Sequence, residues 1–92
     1  MNVSVFGKQG CDLCKTTYRK LEHCLSKWGM NEKVELRFVE VESVDGMAEA
    51  AFYDVLKVPT TLVIKDEEAL ARWEAMVPPS EEVQAALDPK VH

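Results

Sequence analysis

The stretch GKQGCDLCKTTYRKLEHCL, residues 7–25, holds all three cysteines of the chain. Cys11 and Cys14 stand three apart where a loop becomes a helix, a spacing that puts their Cβ atoms about 5–6 Å apart in helical geometry. A modest adjustment from there closes a disulfide. A cysteine in the first turn of a helix meets unpaired N–H groups and the positive end of the helix dipole, and both favour its thiolate. Cys11 is therefore the predicted nucleophile. Lys8 and Lys15 add to that stabilisation, whereas Asp12, between the two cysteines, opposes it. Cys14, one turn further in and on the apolar side, is predicted to be the shielded thiol that resolves a mixed disulfide held on Cys11.

Two other readings compete for the same residues. Zinc would take two ligands from CDLC, a third from His23 or Cys24 and a fourth from the distant His92. Structural zinc usually sits on paired knuckles or a finger, and His23 lies on a helix beside lysines, so no metal site is assigned. The third reading leaves the thiols inert. A C-x-x-C that follows a first strand and opens a helix in a β-α-β pattern favours thiol exchange over both. Cys24 shares a helical stripe with Leu21, Leu25 and Trp28 and reads as core, since free cysteine is among the most buried residue types. His23 reads as a solvated helix residue. Tyr18, Trp28 and Trp73 read as packing groups.

The elements that must position these residues follow from periodicity. NVSVFG is a β-branched and aromatic run closed by Gly7, a first strand that leads straight into the cysteines. Leu13, Thr17, Leu21, Cys24, Leu25 and Trp28 recur at helical spacing, and Gly29 supplies a stop. KVELRFVEVES alternates Val34, Leu36 and Phe38 with Glu35 and Arg37, which suits an edge strand. After SVDG, the residues Ala48, Phe52, Val55 and Leu56 make the stripe of a second, short helix. VPTTLVI is a buried strand entered through a proline.

DEEALARWEAM consists largely of good helix formers, and no Asn-Gly or Asp-Gly announces a hairpin there. In PPSEEVQAAL, Ser80 can cap a last helix, Glu81 and Glu82 suit its positive end, and Val83, Ala86 and Leu87 face inward; Asp88 and Pro89 end it. A strand, a crossover helix and a parallel strand require a right-handed connection, so the expected class is an α/β sandwich.

Ninety-two residues suit one domain over 1–92, with an apolar fraction sufficient for a single core. A net charge of −5 with scattered lysines and arginines offers no basic field for nucleic acid. No apolar run is long enough to span a bilayer and no secretory leader is visible, so no membrane role and a cytoplasmic location are expected. An odd cysteine count fits a reducing compartment better than a framework of structural disulfides.

GCDLC after a first strand, followed by VPT before an apolar strand, resembles the thioredoxin fold over the whole chain. The C-x-L-C form is similar to that of small glutaredoxin-like bacterial proteins. The resemblance implies a central four-stranded mixed sheet in the order β-α-β-α-β-β-α with helices on both faces. ALARWEAM then becomes the last strand, tertiary context overriding its helical propensity. It further implies disulfide exchange, with Cys11 attacking, Cys14 resolving and a cis Pro59 beside them. Val58, Pro59 and Thr60 become substrate-binding candidates, Val58 through its backbone.

The implied partners are a disulfide-containing protein or small molecule, and a reductase or glutathione for recycling. No cofactor beyond the redox-active disulfide is implied. The chain departs from the pattern at three places. MVPPSEE stands where a glutathione-using glutaredoxin usually carries Gly-Gly, Gly10 replaces the aromatic residue before the first cysteine, and NVSVF lacks the buried acid of thioredoxins. The missing aromatic and glycines motivate a second hypothesis, a binding module that keeps the groove around Pro59 but turns over little.

Overall fold

The computed structural model of the chain describes residues 1–88. Its elements are β1 (Asn2–Gly7), α1 (Asp12–Lys27), β2 (Glu35–Glu40), α2 (Val44–Phe52), β3 (Thr60–Lys65), β4 (Glu68–Glu74) and α3 (Ser80–Leu87). The strands form one sheet in the order β2-β1-β3-β4. β1 runs parallel to β2 and antiparallel to β3, and β3 runs antiparallel to β4. The mixed sheet and the β-α-β-α-β-β-α order are those expected, and β2 lies at an edge.

Alternation along β1 divides the interior in two. Val3 and Val5 join Leu21 and Leu25 of α1, Val83 and Leu87 of α3, Val63 and Trp73 on one face. Phe6 joins Val39, Leu62, Ile64 and Ala50 of α2 on the other. A strand whose successive side chains enter two separate cores must be apolar at both parities. Ser4, buried in β1, meets this demand by donating its hydroxyl to Asn2 Oδ1 at 2.7 Å. Trp73 satisfies its indole N–H on Glu82 Oε1 at 2.8 Å, which ties β4 to the first turn of α3.

The hairpin that the sequence did not announce turns on two residues, Asp66 and Glu67, both at positive φ (53° and 67°). That backbone matches the sheet twist and usually selects Asn-Gly; aspartate tolerates it, but glutamate is an unusual occupant. Lys65 and Glu68 pair across it, and the β3–β4 register shifts between Val63 and Ile64.

Several expectations about side chains need correction. Leu13 does not belong to the buried stripe of α1 and is 42% exposed. Phe38 is 40% exposed, its ring meeting Tyr18 edge-on, while Val39 is the buried residue at that end of β2. Pro79, not Ser80, is the N-cap of α3, and no side chain caps it. Asp88 is the C-cap of α3, and Pro89 lies outside the described residues.

The largest correction concerns α2. It begins at Val44, capped by the Ser43 hydroxyl accepting the Gly46 N–H at 2.9 Å, so Gly46 lies inside the helix rather than in a preceding turn. Its buried residues are Gly46 and Ala50. Ala48 and Phe52 face outward and Leu56 is 90% exposed, whereas Val55, past the helix end, does pack against the second core. A helix held this close to the sheet leaves room for small residues alone on its inner side, so its apolar periodicity marks the outer face. The Arg37 guanidinium fastens β2 to α2 through both oxygens of Glu49 at 2.7 and 3.0 Å, and this bond holds the guanidinium above its ordinary range.

Candidate functional site

β1 ends at Gly7, and a short loop passes through Gly10 at φ +80°, a left-handed conformation that favours glycine. Cys11 then takes the N-cap position of α1 with extended backbone, and its Sγ accepts the Cys14 N–H at 3.1 Å. The Lys15 N–H reaches the Cys11 carbonyl at 3.2 Å, and the Cys11 N–H reaches the Lys8 carbonyl at 3.4 Å. The two cysteines are joined by a disulfide with their Cα atoms 5.2 Å apart. Cys11 is partly exposed and Cys14 is fully buried. The sulfur that solvent reaches is therefore the one at the helix N-terminus, where a backbone N–H already points at it.

Sequence reasoning read Gly7 only as the end of a strand. A Cβ there would stand 2.9 Å from Cys14 Cβ, 2.9 Å from Cys14 Sγ and 2.9 Å from Phe38 Cζ. The missing side chain is what lets Cys14 lie flat on the end of β1. Gly7→Ala should force Cys14 and the Phe38 ring apart and cost the oxidised protein about 1–3 kcal/mol. Urea denaturation checks this, and a midpoint equal to wild type contradicts the close fit.

The second flank of the site comes from the far side of β1. Phe6 pairs with Thr60, so β3 begins at the end of the sheet where β1 delivers the cysteines. The Val58–Pro59 peptide there is cis. Pro59 and Thr60 are buried and Val58 is half-buried. Thr60 Oγ1 donates to the Lys57 carbonyl at 2.6 Å, and the Pro59 carbonyl accepts the Ala75 N–H at 2.7 Å. Both bonds hold the segment from behind, and the Val58 main chain makes no hydrogen bond among the described residues. Met76, next to Ala75, and Leu13, between the cysteines, are exposed apolar residues at this end. Neither was read from sequence as a site residue; Leu13 was assigned to the helical stripe it numerically fits.

Lys8, Asp12 and Lys15 are all exposed and form no ion pair among the described residues. The residues considered for zinc lie apart as far as they are described. His23 is exposed, Cys24 is buried with its Sγ 3.6 Å from Ser80 Oγ, and His92 lies outside the described residues. Among the described residues no group of three or more His, Cys, Asp or Glu could hold a metal ion. Among them, too, no helix is long and apolar enough to cross a membrane.

The sequence profile of the family described as thioredoxin domain matches residues 1–88. The chain belongs to that family. Solved structures repeat the thioredoxin fold. Thioredoxin 1 of the thermophilic eubacterium Thermosipho africanus is 19% identical with a TM-score of 0.72, covering 99% of this chain and 94% of its own. A malaria-parasite thioredoxin-2, described as a component of the protein secretion machinery, is 21% identical with a TM-score of 0.74, covering 99% of this chain and 82% of its own. Fasciola hepatica thioredoxin is 25% identical with a TM-score of 0.71, covering 92% of this chain and 76% of its own. No curated protein sequence matches. A thioredoxin domain has a thiol redox role, and the family generally acts on disulfide substrates with reductase partners. In this thioredoxin domain the Cys11–Cys14 disulfide occupies the end of the sheet just described.

Proposed function

We propose that the protein is a thiol-disulfide oxidoreductase that passes two electrons between a substrate disulfide and its own Cys11/Cys14 pair. In the reduced form Cys11, the partly exposed thiol at the N-terminus of α1, attacks the substrate disulfide and releases one substrate thiol. Cys14 then attacks the Cys11 sulfur, closes the disulfide and releases the second thiol. Lys8, Lys15 and Asp12 tune Cys11 through their charges. The unpaired main chain of Val58, beside Pro59 and Thr60, receives an extended segment of the substrate. No further cofactor takes part, and a reductase or glutathione returns the pair to the dithiol. The proposal takes residues 1–92 as one domain working in a reducing, cytoplasmic compartment.

The observation that carries this reading is the asymmetry of the pair: two bonded sulfurs, one open to solvent at a helix N-cap and one fully buried. Titration against glutathione redox buffers, with thiols trapped and counted by mass, tests it. A reversible two-electron step within about 100 mV of the thioredoxin value near −270 mV is expected. If Cys11 and Cys14 never interconvert between dithiol and disulfide, the proposal falls.

A further inference from the structure

Two hydroxyls in the core serve no purpose visible in the oxidised protein. Thr17 and Thr61 are fully buried, and neither Oγ1 has a hydrogen-bond partner. Buried polar atoms are nearly always paired, so an unpaired one in each of two packed elements calls for a reason.

Both lie on the α1 side of the sheet, one layer beneath the disulfide. Thr61 stands opposite Val5 in the β1–β3 pair, and directly opposed residues point to the same face. Val5 shares its core with Leu21 and Leu25 of α1 and with Val83 and Leu87 of α3, so Thr61 points into the layer that holds these two helices. On the helix, Tyr18 meets Phe38 of β2, which fixes one edge of α1 over that strand. The other edge faces α3, because Lys20 Nζ donates to the Pro78 carbonyl at 2.7 Å and Cys24 lies against Ser80. Thr17 shares that second edge, being three residues before Lys20 and seven before Cys24. It therefore lies toward β3, the strand that carries Thr61. In height it belongs to the same helical turn as Tyr18, whose partner Phe38 pairs with Val5, the neighbour of Thr61. Cys14, one turn above Thr17, rests on Gly7.

We propose that the Thr17 hydroxyl, backed by that of Thr61, donates a hydrogen bond to the Cys14 sulfur once the disulfide is open. This inference rests on the exchange reading given above. A thiolate buried as completely as Cys14 has no water to stabilise it, and burial disfavours its charge. A hydroxyl one turn away on the same helix offsets that without adding charge. The step it serves balances simply. The Cys14 thiolate gives its electron pair to a new bond with Cys11 Sγ, the bond from Cys11 to the substrate sulfur breaks, and the departing thiolate takes up the proton that Cys14 lost. Closure turns that thiolate into a neutral disulfide sulfur held against Cys11, a far weaker acceptor that meets neither hydroxyl, which accounts for both lacking partners in the disulfide form. Thr17 and Thr61 are thus positioning residues for Cys14.

Rapid mixing of the reduced protein with an aromatic nitrobenzoate disulfide resolves the two attacks, since each releases one coloured thiolate. The first phase reports Cys11 and the second Cys14. Thr17→Val keeps the side-chain shape and should leave the first phase unchanged. Loss of one charge-assisted bond raises the Cys14 midpoint by about one pH unit, or about tenfold fewer thiolates below it. Each remaining thiolate is about threefold more nucleophilic, so the second phase should slow about threefold below the midpoint and quicken about threefold on the alkaline plateau.

That crossing of the two pH profiles is what a packing defect does not produce. Thr17→Ser should restore the wild-type profile, and Thr61→Val should show the same crossing with smaller amplitude. If Thr17→Val does not fold, the Thr61→Val profile decides. Overlaying profiles for wild type and the valine variants overturn the assignment and leave the exchange reading standing. A wild-type protein with no second phase ends both.

Discussion

Cys14→Ser should convert the protein into a trap. With Cys11 half in solvent at the N-cap of α1, the first attack needs nothing from Cys14, so a disulfide such as oxidised glutathione should still react. The product, however, has no thiol to close onto Cys11, and one adduct per chain should accumulate and persist until an external thiol removes it. Cys11→Ser should lower exchange by several orders of magnitude, because a serine hydroxyl is not ionised at neutral pH and the only remaining thiol of the pair is fully buried. Intact mass after incubation reads both outcomes directly. Equal loss in the two variants, with no adduct on Cys14→Ser, would contradict the division of labour between the sulfurs. The asymmetry predicted here comes from placement, since both residues are cysteines three positions apart and what distinguishes them is the partly exposed N-cap position of Cys11 against the full burial of Cys14.

The same placement shows which parts of the fold were legible beforehand. A β-branched strand, a cysteine pair and a helical stripe from Thr17 to Leu25 were readable because each depends on local periodicity, and the helix did end before Gly29 at φ +67°. β4 was readable only through resemblance. Its residues Glu68–Glu74 favour helix on their own, and they become a strand because β3 offers a free edge and Trp73 reaches the core shared with α1 and α3. The turn residues Asp66 and Glu67 take positive φ for the same reason, since closing that pairing outweighs the local cost.

What stayed hidden depends on how closely two elements approach, a quantity that sequence encodes only through absent atoms. Gly7 beneath Cys14 is one case, and the inner face of α2 is the other. A stripe of Ala48, Phe52, Val55 and Leu56 looks like a buried face by period alone, but no period reveals that the helix lies too near the sheet for Ala48 and Phe52, or that it ends before Val55, which does pack against the second core. Thr17 was counted as one more member of the α1 stripe, and only its missing partner separates it from its neighbours.

Gly46→Ala tests that approach with the second large effect. In the middle of a helix the exchange of glycine for alanine ordinarily gains about 1 kcal/mol. Here the new Cβ would stand 1.7 Å from the Glu40 carbonyl oxygen and 2.6 Å from its carbon, both backbone atoms at the end of β2 that no rotamer can move. The same oxygen accepts the Ser43 hydroxyl at 2.7 Å and the Ser43 N–H at 3.1 Å, so displacing it also loosens the cap of α2. The helix must lift from the sheet, separating Ala50 from Phe6, Val39 and Leu62. A net loss above about 2 kcal/mol follows, lowering Tm by about 10 °C or more in a domain of this size.

Gly29 supplies the contrast. Its positive φ makes alanine strained, yet a Cβ there meets nothing within 4 Å, so Gly29→Ala should cost only about 1–2 kcal/mol. Thermal melts of the two variants show whether a steric block at Gly46 costs more than backbone strain at Gly29. If Gly46→Ala melts at or above wild type, α2 does not sit where Glu40 holds it, and its outward apolar residues lose their explanation. Because Glu40 pairs with Gly7, which in turn lies under Cys14, a helix that lifts at Gly46 should also disturb the resolving thiol. Gly46→Ala is therefore expected to slow closure of the Cys11–Cys14 disulfide more than it slows the first attack by Cys11.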